Sequence, residues 1–264
     1  MATVIAASPP VMQETLSGPP KAFHAPVLGT TYHGDGREGA YLMNVGKFKG
    51  PEVERVMQEK KPSLVLEVGA YVGYSAVEFG RRLHTEGKVT PASPEWNRVS
   101  DDQKAAYVSL EYSSEYARVT KGVVELAGLQ DAFKIIVGSS TETIPTLRAQ
   151  LSLAPNTTFD MIFLDHIKHL YLPDLRLLEE LGFIGPGTLI VADNVIKPGT
   201  PDYLAYVRSS NAEKVDAKRK DPSIGGNPSL VYKSRLFDSY DPYTAEPDGV
   251  EFTESVQEQC TFTV

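Results

Sequence analysis

Apolar residues along this chain fall into two rhythms. Almost wholly apolar runs end on a small or charged residue: "SLVLEVG" (63–69), "YVSLE" (107–111), "FKIIVG" (133–138), "FDMIFLD" (159–165) and "TLIVAD" (188–193). Each reads as a strand buried on both faces. Between them the apolar period lengthens to that of a helix. "GPEVERVMQEKKP" sets Val53, Val56 and Met57 on one face, with Pro51 suited to the first turn and Pro62 ending the helix. Further helices are expected over 75–83, over 114–127 closed by Gly128, over 173–181 between Pro173 and Gly182, and from Pro201 onward. The alternation predicts an α/β fold with a mostly parallel central sheet covered by helices on both faces. Near the C-terminus, "SLVYKSRLF" and "GVEFTESV" alternate apolar and polar residues, as an antiparallel hairpin at a sheet edge does.

Two stretches break the rhythm. Residues 84–104 form a polar loop holding the single tryptophan, Trp96, and residues 209–228, with "DPSIGGNPS", read as a second long surface loop. Residues 1–37 are rich in Pro, Gly, Ser and Thr without a sustained period. They are expected to be a flexible N-terminal arm, leaving 38–264 as a single domain.

Composition narrows the chemistry. A formal charge of −8 and a pI near 5.2 argue against a nucleic-acid or anionic-membrane partner, because a phosphate surface calls for a basic face. No apolar run reaches the ~18 residues of a membrane span, and the N-terminus lacks the basic lead of a secretory signal. Cys260 is the sole cysteine, so no intramolecular disulfide is possible. A cytoplasmic protein acting on a small molecule is expected, as a monomer or weak dimer.

The stretch "LEVGAYVGYS" follows a strand and opens a helix, with Gly69 and Gly73 letting backbone approach a ligand closely. The dinucleotide fingerprint G-x-G-x-x-G requires glycine at position 71, where this chain has Tyr71, which disfavours a nicotinamide oxidoreductase. Glu111 ends the next strand, where an acid is expected to grip ribose hydroxyls. It lies farther from Gly73 than the usual ~20 residues, and the 84–104 loop accounts for the excess.

Six motifs in order, "MNVG" (43–46), "LEVGAYVGYSA", "VSLEYS", "VGSSTETIPTL", "FLDHIKHLYLPDL" and "VADNVIKPGTPDYLAYVRSS", resemble the catechol O-methyltransferases. The resemblance runs from about Tyr41 to Arg208 and more loosely to residue 255. It implies a Rossmann-like methyltransferase fold and the cofactors S-adenosylmethionine and Mg²⁺. Met43, Asn44 and Val45 would lie over the organic cofactor, and Glu67, Gly69, Tyr71 and Ser75 would hold its methionine portion. Glu111 would take the ribose and Tyr112 would border the adenine. Ser139, Ser140 and His166 would complete that side, with Asp165 bordering the cofactor as well.

Asp165 and Asp193 each end a strand. If those strands are neighbours they lie about 4.8 Å apart, so the carboxylates can converge on one cation; the plainer alternative is two strand-end acids facing water. The resemblance implies Asp165, Asp193 and Asn194 as ligands of Mg²⁺, a hard ion suited to oxygen donors. A phenol with pKa about 10 is a poor nucleophile at neutral pH, and a cation beside it raises its acidity. Lys168 is then placed to take the proton, provided its ammonium form is disfavoured.

The chain departs from the family at the acceptor. Tyr41 and Ile167 stand where the family has tryptophans, and Phe237 followed by Asp238 stands where it has a substrate-binding glutamate. Tyr41, Ile167, Lys168, Asn194, Pro198 and Asp238 are the expected substrate neighbours. The expected reaction is methylation of one hydroxyl of a catechol-like diphenol. A larger polyphenol or secondary metabolite, or a non-catalytic S-adenosylmethionine-binding protein, are the alternatives.

Overall fold

The structure, a computed structural model, describes residues 28–32, 38–42, 44–241 and 245–257. Two expected residues, Met43 and Cys260, and the side chain of Tyr41 lie outside the described residues.

Strands β1 (Leu28–Tyr32) and β2 (Glu38–Leu42) pair antiparallel as a separate two-stranded sheet. Helix α1 (Gly46–Lys60) leads into β3 (Leu64–Val68), followed by α2 (Tyr74–Gly80), β4 (Ala106–Glu111), α3 (Ser114–Leu126) and β5 (Phe133–Val137). Three short helical turns span 140–150 before β6 (Met161–Leu164), α4 (Tyr171–Glu180) and β7 (Leu189–Ala192). Helices α5 (Pro201–Arg208) and α6 (Asn211–Lys220) precede the hairpin β8 (Val231–Tyr240) and β9 (Pro247–Val256). The main sheet has seven strands in the order β5-β4-β3-β6-β7-β9-β8. The first five are parallel to one another, and β9 and β8 run antiparallel at the far edge. The chain winds outward from β3 to β5 and then returns to the other side of β3, so a crevice opens between β3 and β6 at the carboxyl edge.

Alternate side chains of each strand feed two cores. On one face, Leu64, Leu66, Val108, Leu110, Ile162, Leu164 and Ile190 pack with Tyr171, Leu175 and Leu178 of α4 and Tyr203 and Val207 of α5. On the other, Val65, Tyr107, Met161, Phe163 and Val191 meet Val53, Val56 and Met57 of α1 and Ala76 and Phe79 of α2. Each such buried side chain is worth about 1.5–3 kcal/mol, which is why a one-residue slip of register is not tolerated.

Three expectations change. Residues 209–228 are not one loop: α6 starts in a capping box in which the Ser210 hydroxyl accepts from the Glu213 N–H and the Glu213 carboxylate accepts from the Ser210 N–H. This helix is polar almost throughout, so no apolar period betrays it. The stretch read as an arm contains β1, whose Thr30, Thr31 and Tyr32 are strand-favouring residues. Helix α1 begins four residues earlier than its apolar stripe suggests, at Gly46, and Pro51 lies inside it. The early turn is anchored by Lys49, which is 3% exposed and ion-paired to the sheet.

The 84–104 loop is polar in sequence but seated through Trp96, which is buried in the α4-side core and donates its indole N–H to the Leu151 carbonyl at 3.1 Å. Trp96→Ala is expected to cost about 3–5 kcal/mol, read as a lowered urea midpoint with unchanged slope.

Candidate active site

The register of the sheet lines up a row of functional positions. Val68 pairs with both Leu110 and Leu164, and Leu164 pairs with Ala192, so Glu111, Gly69, Asp165 and Asp193 follow at adjacent strand ends. Backbone bonds continue the ladder one step past the strands, with Gly69 N–H donating to Leu110, Asp165 N–H to Val68 and Asp193 N–H to Leu164. Gly69 has φ +100°, and a Cβ there would stand 2.5 Å from the Asp165 carbonyl oxygen. Only glycine lets the β3–α2 turn pass this close to the end of β6.

Asp193 is 1% exposed, and burial, followed by the nearby Asp165 charge, pushes its carboxyl up to about 7. Its Oδ1 accepts from the Asn194 N–H at 2.8 Å and pairs with the Lys49 ammonium at 2.6 Å, while its Oδ2 is buried without a hydrogen-bond partner. Asp248, at the start of β9, completes the cluster. It accepts from Lys49 at 2.6 Å, from the Asn194 side-chain amide at 2.8 Å and from the Lys197 N–H at 3.1 Å. Burial works against charge on both sides of this pair, yet Lys49 is held well above the usual ammonium range by Asp193 and Asp248, and Asp248 is held below the usual carboxylate range by Lys49. Across the site, Lys168 donates to Asp165 Oδ1 at 3.0 Å and to the Tyr171 hydroxyl at 2.5 Å, and that hydroxyl donates to the Asp193 carbonyl at 3.0 Å.

An unpartnered buried carboxylate oxygen beside a second strand-end carboxylate and an amide fits a hard divalent cation by donor chemistry. No three His, Cys, Asp or Glu residues are grouped to hold a metal among the described residues, so a cation at this edge would need an amide oxygen such as that of Asn194.

At the other end of the row, Glu111 accepts from the Ala70 and Tyr71 N–H groups at 3.1 and 2.8 Å and from the Ser113 N–H at 2.8 Å. It therefore braces the glycine turn. Glu67 is fully buried on the α1–α2 face, where the hydroxyls of Ser109 and Tyr107 donate to it and Ser75 also bonds it. Burial pushes it up to about 7 against those bonds. No cation balances it among these partners, so an ammonium-bearing ligand suits it.

Comparison with known proteins resolves what this edge belongs to. The methyltransferase domain family matches residues 66–195. Catechol O-methyltransferase from Bos taurus is 35% identical over 241 residues, covering 91% of this chain and 72% of that one. The Sus scrofa catechol O-methyltransferase is 42% identical over 166 residues, 63% of this chain and 78% of that one. The chain belongs to the catechol O-methyltransferase family. By that membership it is an S-adenosylmethionine-dependent O-methyltransferase. An O-methyltransferase from Bacillus cereus, solved with SAH, has the same fold at 20% identity, with a TM-score of 0.52 covering 79% of this chain and 80% of that one.

In this methyltransferase the expected metal residues Asp165, Asp193 and Asn194 come together, and Lys168 stands beside them. His166 turns from the row: its Nε2 pairs with Asp174 at 2.8 Å and its ring stacks on Tyr171 at 4.9 Å between centroids. Tyr112 is 78% exposed and Ser140 is buried, with the Ser139 hydroxyl donating to Glu142. Ile167 is 56% exposed beside Lys168. Asp238 is exposed and pairs in register with Gly249, one residue beyond Asp248.

Sequence reasoning missed Lys49, Asp248 and Tyr171. Asp248 is disguised as turn chemistry in "EPDG", and Lys49 is one of two lysines in "GKFKG". Only the placement of α1 against β7 and β9 selects between those lysines. Tyr171, fully buried, is hidden as a helix residue of the core.

Because folded Glu67 keeps its proton up to about 7 rather than 4.5, the folded ligand-free protein binds more protons across that window. The contribution of this group to stability therefore falls as pH rises through it. Glu67→Gln removes the effect, so the Tm of the variant relative to the parent is expected to climb between about pH 5 and pH 8. A pH-independent difference in scanning calorimetry contradicts the assignment.

Proposed function

We propose that this enzyme methylates one hydroxyl of a vicinal diphenol, using S-adenosylmethionine as donor and Mg²⁺ held by Asp165, Asp193 and Asn194. The observation that carries this reading is the buried, unpartnered Asp193 Oδ2 at the same sheet edge as Asp165. Names of the relatives point to the same acceptor class. Mg²⁺, when bound, supplies a positive charge that raises the acidity of a neighbouring phenol and favours acceptors with two adjacent oxygens.

The chain's own residues divide the remaining work. Glu67 and Ser75 would hold the cofactor's ammonium end, the turn from Gly69 to Gly73 would offer backbone, and Glu111, which braces that turn, would take the ribose. Asn44 and Val45 open α1 next to this turn in the family's order, and Val45 is buried. Lys168 takes the phenolic proton. In the structure its amine is ion-paired with Asp165 at 3.0 Å, and a paired ammonium has no lone pair for a proton. A cation held by Asp165 would withdraw that counter-charge, and the lysine's own proton would pass to solvent before the amine takes the phenol's. With donor and acceptor bound, the acceptor oxygen would form one C–O bond to the methyl carbon as the donor's C–S bond breaks, so no covalent enzyme intermediate would be needed. Holding the reactants in line is worth up to ~7–11 kcal/mol in favourable systems.

The acceptor wall supports a second reading, the same chemistry on a larger polyphenol. Ile167 is a small aliphatic residue, 56% exposed, and Asp238 is exposed on β8. An open wall of this kind accommodates groups beyond a single ring. Pro198, in the Val195–Gly199 turn that follows Asn194, contributes an apolar side.

A labelled-methyl assay over catechols, polyphenols and monophenols, with and without EDTA, tests the reading. Turnover of diphenols lost with EDTA is expected, and EDTA-resistant methylation of monophenols refutes it. Asp193→Ala is expected to abolish turnover while cofactor affinity, measured by calorimetry, largely persists. Lys168→Ala is expected to lower kcat about 10²–10⁴-fold, the usual worth of a general base; an unchanged kcat at neutral pH removes Lys168 from that role.

A further inference from the structure

Asp193 and Asn194 do not orient themselves. Asp193 offers one unpartnered oxygen because the other is taken twice, by the Lys49 ammonium at 2.6 Å and by the Asn194 N–H at 2.8 Å. The Asn194 side chain is set by Asp248, whose Oδ2 lies 2.8 Å from its amide nitrogen. An ionised carboxylate only accepts, so the end of the amide facing Asp248 has to be the NH₂ group, which leaves the carbonyl oxygen as the end available to a cation. Asp248 also accepts from Lys49 at 2.6 Å, so one carboxylate on β9 controls both residues that follow β7, one directly and one through a lysine of α1.

The charges point the same way. Lys49, Asp193 and Asp248 have side chains that are 3%, 1% and 1% exposed, and one ammonium between two carboxyl groups leaves a buried excess of negative charge whenever both are ionised. Buried carboxylates of this kind are strongly penalised unless a further positive charge is near. A clamp serving only to join α1 to the sheet needs one carboxylate, not two.

We propose that Asp248, acting with Lys49, is the positioning residue of the metal site: it presents the Asn194 carbonyl and a single Asp193 oxygen to Mg²⁺, and so sets the affinity for the ion. The inference rests on the Mg²⁺ reading above. Outer partners that orient metal ligands typically govern affinity by 10–100-fold. Replacement of Asp248 by asparagine preserves shape but leaves one acceptor oxygen and no charge: at the Oδ2 position that oxygen abandons the Lys197 N–H and holds Lys49 and the Asn194 amide only as a neutral acceptor, and at the Oδ1 position it confronts both with an NH₂ group.

The test is a Mg²⁺ titration by calorimetry on the full chain, alongside S-adenosylmethionine titration and Tm. Asp248→Asn and Lys49→Met are each expected to weaken Mg²⁺ binding about 10–100-fold with cofactor affinity within about threefold of the parent. The double variant is expected to cost less than the sum of the two, because both act on one network. Glu251→Gln serves as the comparison: Glu251 is fully buried on the same strand, opposite Ala192, and its carboxylate pairs with Arg208 of α5 at 2.7 Å rather than with Lys49 or Asn194. A similar loss of Mg²⁺ affinity in Glu251→Gln makes the effect general loosening of β9 and overturns the proposal. So does Mg²⁺ binding in Asp248→Asn indistinguishable from the parent. Should either single variant fail to fold, Lys49→Met/Asp248→Asn, which removes one charge of each sign, carries the same titration. A parent that binds no Mg²⁺ refutes the metal reading itself, whereas a binding parent with unaffected variants refutes only the role of Asp248.

Discussion

The active edge depends on one geometric constraint: β3, β4, β6 and β7 stop at the same level. Side-chain alternation with a period of two makes that level an all-or-none property, because the residues that follow the ladder inherit its phase. Glu111, Gly69, Asp165 and Asp193 are neighbours because Leu110, Val68, Leu164 and Ala192 are paired. The buried runs that hold this register are therefore the first determinant of the chemistry. The polar residues come second, as passengers on strands whose positions are decided by apolar packing on both faces.

Onto that edge the fold loads more acid than it neutralises locally. Asp193 and Glu67 are both enclosed and both pushed up toward neutrality by burial, one at each side of the β3–β6 crevice. The two acids lack different things. Glu67 is surrounded by hydroxyls and has no cation among its bonded partners, whereas Asp193 has a lysine on one oxygen and nothing on the other. An organic cation suits the first and a hard metal ion the second. On the proposed reading, acids buried at a cost to the ligand-free protein would be stabilised by positively charged ligands, and folding stability and ligand binding would be linked.

Most of the sheet was legible because parallel strands covered on both sides carry nearly unbroken apolar runs, and the strand-end acids Glu111, Asp165 and Asp193 stand out against them. Helix α6 was not, because Ser210 and Glu213 cap a helix whose faces are all polar and periodicity has nothing to report. The roles of Lys49 and Asp248 were hidden for another reason. They lie 199 positions apart and act on Asp193 and Asn194 only once α1 and β9 have docked on β7. Cofactor motifs are local turns and can be read; charge networks across elements are products of tertiary packing. Ile167 marked the departure at the acceptor from sequence alone, and the structure adds that its side chain stands largely in solvent.

That exposure separates two kinds of constraint within the eight residues from Leu164 to Tyr171. Leu164 and Tyr171, at either end of the segment, are wholly buried, so substitutions there are limited by packing. Position 167 supports no core, and substitutions of exposed residues usually change stability by no more than about 0.5 kcal/mol. If Ile167 borders the acceptor as proposed, its replacement leaves the folded scaffold and its charge network as they are. On the proposed reading, substrate range in this enzyme is a surface trait attached to an interior problem in electrostatics.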